Sequence, residues 1–229
     1  MSLEFTSNVY EIPAEDPSAV RENIESMIQY TELGTLKEYD GGDLGFFISR
    51  TLQHLRVHLQ RLHGHEEAGI DLLAWIARNL LEVKLIAGYA LLSEENLQKT
   101  LLKDVIDLRN LDEIWFKEGR NYNEQEAADF KQSLEDVEEF IEEEDLDPGE
   151  GWLTIPQMAK ATGEEYLQDL SKWLSKYVHP TPVLLFGKES FMKGEDARKA
   201  VLKAAQHCAA RLLEDIPGDA ERIRSQRAT

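Results

Sequence analysis

Asp71, Trp75, Arg78, Glu82 and Tyr89 fall within about sixty degrees of one another when their segment is wound as a helix at roughly 100° per residue. A guanidinium, two carboxylates and two amphipathic rings in one stripe suit recognition of an anionic group. Arg78 offers fixed donors, and Glu82, four residues on, stands where it can orient them. The rest of the segment is oily: Ile70, Leu72, Leu73, Ile76, Leu80, Leu81, Val83, Leu85 and Ile86 occupy most of its circumference. Ions on such a helix must be paired or face a polar cavity, because burying them alone costs several kcal/mol each. Two readings follow: a structural Arg78–Glu82 network that fixes helix register, or a stripe that lines a ligand pocket.

A second candidate is Tyr177-Val178-His179-Pro180. A histidine in the last turn before a proline can meet the orphan carbonyls of a helix C-terminus. It can equally contact a ligand or act as a general acid or base beside Arg78. His54, His58, His63 and His65 form a third group, and His54 and His58 share a helix face at the spacing two imidazoles need to grip one metal ion. Leu55 follows His54 where a zinc protease carries glutamate, so the pair is a weak metal candidate; no metal or other cofactor is expected. Asp145-Leu146-Asp147-Pro148-Gly149 opens like a calcium loop, but Glu150 and Pro156 stand where glycine and the bidentate glutamate belong. Walker, Gly-x-Gly-x-x-Gly and Gly-x-Ser-x-Gly patterns are missing from the sequence.

The elements that must position these residues read as helices nearly throughout, in an all-α bundle of about seven helices. Asp16-Pro17 opens the first, which Gly34 is expected to stop. Leu44, Ile48, Leu52, Leu55, Leu59 and Leu62 form the apolar stripe of the second, ended by Gly64. The third, from about Glu66 to Leu92, carries the polar stripe and is apolar over most of its surface, as a central helix would be. Ser93 caps a fourth and Asn123 begins a fifth, whose acidic end and turn occupy 135–151. A short helix near Pro156, another through Tyr166 to Tyr177, an irregular or extended segment near 181–187 and a long helix over about Glu195 to Asp215 follow. Residues 217–229 read as a frayed tail, and 1–229 as a single helical domain.

Composition narrows the functional classes. The formal net charge of −19 repels phosphate backbones and disfavours broad nucleic-acid binding. Ten acids lie between Lys131 and Lys160 with no Lys or Arg among them, which leaves about −9 elsewhere and room for a local basic site. The segment near 70–92 carries too many charges to span a membrane. The first residues lack the basic start and apolar run of a signal peptide, and the lone Cys208 suits a reducing compartment, so a cytoplasmic protein is expected.

Leu72 to Ser93 and Ile155 to Pro182 together resemble a bacterial family of all-helical proteins of unknown function. That family carries an Arg-x-x-x-Glu helix and, later, a Tyr…Ser…Val-His-Pro element. The resemblance implies that Arg78, Glu82, Tyr166, Ser171 or Ser175, and His179 are characteristic positions, and that the stripe and His179 meet in space. Arg78-Asn79 is also similar to the start of the ribonuclease motif in HEPN helical bundles. Val83, Lys84 and Leu85 stand where that motif needs histidine, so His179 would have to supply it from another helix.

The expectation is a helical binding or interaction module with a composite site of Arg78, Glu82 and His179, flanked by Asp71, Trp75, Tyr89 and Tyr177. An anionic small molecule or a protein would be its partner, homo-oligomerisation is open, and a bacterial stress or defence setting is the suggested context. The alternative is a hydrolytic or nucleolytic enzyme using His179 and Arg78.

Overall fold

A computed structural model describes residues 16–36, 42–117, 123–143, 153–179 and 194–227. They form eight helices, against about seven expected, and no strand occurs among the described residues. In chain order these are α1 (Pro17–Leu36), α2 (Asp43–His63), α3 (Ile70–Ala90), α4 (Glu94–Lys117), α5 (Glu124–Glu143), α6 (Ile155–Ala161), α7 (Tyr166–Val178) and α8 (Glu195–Arg227). The segment near 181–187, the turn beyond Glu143 and the calcium-like 145–149 lie outside the described residues.

The helix starts follow side-chain chemistry. Asp16 Oδ1 accepts hydrogen bonds from the N–H groups of Ser18 and Ala19, at 3.0 and 3.4 Å. Asn123 and Glu126 cap each other's backbone reciprocally at α5, as Thr154 and Gln157 do at α6. Each cap satisfies donors that the first turn leaves orphaned.

Three boundaries differ from the sequence expectation, each for a tertiary reason. Gly34 does not stop α1, which runs on to Leu36. A Cβ on Gly34 would sit 2.9 Å from Leu52 Cδ1, so the glycine serves the close approach of α1 to α2. Next, α3 begins at Ile70 and not near Glu66. Glu66 is instead buried before the helix, where Arg21 Nε lies 3.2 Å from its carboxylate and Arg198 donates to its backbone oxygen. Finally, the expected frayed tail is helical: α8 continues through Pro217 to Arg227. Buried Ala220 and Ile223 hold this last stretch down, Arg222 donates to Leu91 O at 2.9 Å, and Arg227 makes a two-pronged pair with Glu94, both contacts 2.7 Å.

Helix α3 lies at the middle, packed against α2, α4, α6, α7 and α8. Its Leu73, Ala74, Ile76, Ala77, Leu80, Leu81 and Leu85 are fully buried, as is the whole α2 stripe from Leu44 to Leu62. At roughly 1.5–3 kcal/mol for each large apolar side chain taken from water, this core dominates the favourable side of folding. α7 crosses α3 with Leu167, Ser171, Leu174 and Tyr177 facing inward, and this docking brings the end of α7 to the polar stripe.

Candidate functional site

His179 follows the last residue of α7 in extended conformation (φ −99°, ψ 145°), and its backbone N–H donates to Ser175 O at 3.2 Å. That bond closes the helix, so the imidazole is free of the expected capping role and points to α3. Arg78 Nη1 donates to His179 Nε2 at 2.7 Å, and Arg78 Nε donates to Glu82 Oε1 at 2.9 Å. An imidazole nitrogen that accepts from a guanidinium carries a lone pair, so His179 holds its proton on Nδ1 in this arrangement. Arg78 and Glu82 are half-buried and His179 is exposed, and among the described residues Arg78 Nη2 has no partner. A carboxylate on one side and a neutral ring on the other fix the guanidinium plane while leaving donors for an oxyanion.

The other stripe residues spread along α3. Trp75 is exposed at 38%, with the Arg61 guanidinium 5.3 Å from its ring centroid and His58 edge-on at 6.0 Å. Asp71 is exposed in the first turn; Tyr89 is half-buried near the far end, where its backbone oxygen accepts from Asn96. Tyr177 is 3% exposed and stacks edge-to-face with Trp173 at 5.3 Å, which makes it a core residue beneath the site. Ser171 is buried, and the Ser175 hydroxyl donates to Ser171 O at 2.7 Å.

The histidine group does not converge. His54 and His58 rings are 5.7 Å apart, and His58 is buried. No set of three metal-ligating side chains occurs among the described residues. His58 Nδ1 is buried without a hydrogen-bond partner. Burial first, then Arg61 and His54, pushes the His58 pKa down to about 4. His63 is 2.9 Å from Glu25, and His65 Nδ1 is 2.8 Å from Arg61 O.

On another face of α3 lies a cluster that the sequence reading missed. Lys84 is 2% exposed, and its ammonium donates to Glu164 and stands 3.8 Å from Asp215. Glu164 is placed by the end of α6: Gly163 takes φ +73° and Glu164 N bonds to Ala159 O at 2.8 Å, a turn that glycine makes without strain. Beside it Tyr166 OH and His207 Nε2 are hydrogen-bonded at 3.0 Å, so Tyr166 belongs to this cluster and not to the Arg78 site. Burial raises the Asp215 carboxyl despite Lys84 and Arg211, lowers His207, and pushes Tyr166 and Cys208 each up to about 12. A signal was available in the sequence: Lys84 faces away from the polar stripe on a helix apolar all round, so it had to have buried counter-charges.

The model of a family of unknown function, DUF5677, matches residues 70–197, more than half of the chain, and the chain belongs to that family. The matched span runs from the start of α3 into α8 and contains Arg78, Glu82, Lys84, Glu164, Tyr166 and His179. No curated protein and no solved structure matches the chain.

Proposed function

We propose that this DUF5677 member is a helical binding module whose composite site of Arg78, Glu82 and His179 recognises an oxyanion. The observation that carries the reading is the 2.7 Å contact between Arg78 and His179, two residues 101 positions apart, at a partly exposed place on the central helix. In a chain of net charge −19, a guanidinium left with an open donor edge is selective for negative partners that approach closely. Glu82 neutralises Arg78 in the free protein and lowers affinity for weakly bound anions. An oxyanion that reaches both Nη2 and the Nδ1–H of His179 gains two charge-assisted or polar hydrogen bonds.

Cys208, a fully buried thiol, suits work in the reducing cytoplasm. No helix among the described residues is long and apolar enough to cross a membrane.

The test is a titration of the intact protein, with its histidines labelled with nitrogen-15, by inorganic phosphate. Saturable shifts of the His179 ring nitrogens that vanish in Arg78→Ala are expected; shifts that persist unchanged in that variant would sink the reading. A hydrolytic role uses the same contact, with His179 moving a proton. It would show as phosphate-ester or RNA cleavage lost in His179→Ala at an unchanged melting temperature.

A further inference from the structure

The surroundings of Arg78 bear on the class of ligand, and this step rests on the reading just proposed. Trp75 lies one turn before Arg78 on the same stripe, its indole 38% exposed on a helix packed against five others. Over that indole sits Arg61 from α2, 5.3 Å from the ring centroid. Among the described residues the Arg61 guanidinium has no carboxylate partner and no hydrogen bond, although the chain has 44 acidic residues against 25 Lys and Arg. His58, edge-on to the same indole, keeps a buried Nδ1 without a partner. Two guanidinium groups, an exposed aromatic face and an unsatisfied buried nitrogen thus adjoin one another. A purely structural surface has no need of that combination, since arginines on acidic proteins readily find surface carboxylates.

We infer that the ligand is a small aromatic oxyanion, an aryl phosphate or aryl carboxylate, with its ring on Trp75 and its acid group on Arg78 and His179. The planar Arg61 guanidinium occupies the position that the ring takes. Once displaced from the indole, it turns to the same acid group, so the bound anion meets two cations in place of one. Asp71 sets the direction: its exposed carboxylate, one turn beyond Trp75, repels an anion placed at that end and leaves the Arg78 end for the acid.

Calorimetric titration of the full chain with inorganic phosphate, phenyl phosphate and cyclohexyl phosphate tests this. Phenyl phosphate is expected to bind at least about tenfold tighter than the other two. Trp75→Leu should erase that preference, bringing phenyl phosphate to the affinity of cyclohexyl phosphate, while Trp75→Phe should keep most of it. Equal affinity for phenyl and cyclohexyl phosphate, or a preference that survives Trp75→Leu, overturns the aromatic inference and leaves the Arg78 reading standing. Failure of all three probes to bind in a manner that depends on Arg78 overturns both.

Discussion

Around Lys84 the chain surrounds a cation with the carboxylates of Glu164 and Asp215 and closes protein over it, whereas around Arg78 it leaves a guanidinium at the surface between Glu82 and His179. Both residues belong to α3, six positions and about 120° apart around its axis. The Lys84 face meets α6, α7 and α8, whose packing removes water and makes every charge dependent on its partner. Arg78 meets His179 at the end of α7, and with Glu82 it stays partly exposed to water, so that pair contributes little to stability. The contrast separates a charge cluster built to hold helices together from one built to be reached.

Mutation tests that separation, and the greatest loss of stability is expected on the closed side. Lys84→Ala strands two carboxylates and should cost about 2–4 kcal/mol, a fall of roughly 5–15 °C in melting temperature for a chain of this size. Adding Glu164→Gln and Asp215→Asn to Lys84→Met should recover much of that loss, because no unpaired charge is left behind. If the triple variant were as unstable as the single one, packing and not charge would explain the site.

The next effect is pH-dependent and comes from His58, buried on α2 beside Trp75. Its folded pKa, about 4, lies below the ordinary 6.5, so the unfolded chain binds the extra proton first. Its contribution is therefore fully present above about pH 6.5, is lost as pH falls towards 4, and amounts to about 3 kcal/mol over that window. Chemical denaturation of the wild type and His58→Phe at several pH values checks it: the wild type should lose stability relative to the variant as the solution becomes acidic, and a difference independent of pH would refute it.

Smaller again is the stability effect expected on the open side. Arg78→Ala should change unfolding free energy by no more than about 1 kcal/mol while removing phosphate binding. A loss comparable to that of Lys84→Ala would mean that Arg78, too, is a structural ion. The smallest effect is a reactivity close to nil: Cys208, fully buried and with its thiol pushed up to about 12, should resist a thiol-modifying reagent in the native protein and react at once on unfolding. Ready reaction of the native protein would show that the Lys84 face is not closed.

Much of the architecture could be read in the order of residues because it depends on local rules. The α2 stripe, the caps at Asp16, Ser93 and Asn123, and the apolar circumference of α3 each follow from spacing and from side chains that satisfy nearby backbone donors. The stripe of Asp71, Trp75, Arg78, Glu82 and Tyr89 is equally a matter of helical period. At Gly34, expected to end α1, and over 217–227, expected to fray, local preference is outweighed by contacts with Leu52 in one case and with Leu91 and Glu94 in the other.

Sequence by itself determined that this chain is helical, acidic and crossed by one polar stripe, because periodicity and composition are properties of neighbouring residues. Only the tertiary structure decided that Arg78 meets His179, that Tyr166 joins His207 and not Arg78, and that Lys84 finds Glu164 and Asp215. Those pairings join positions 41 to 131 residues apart, and the docking of α7 and α8 on α3 is what fixes which side chains come within reach.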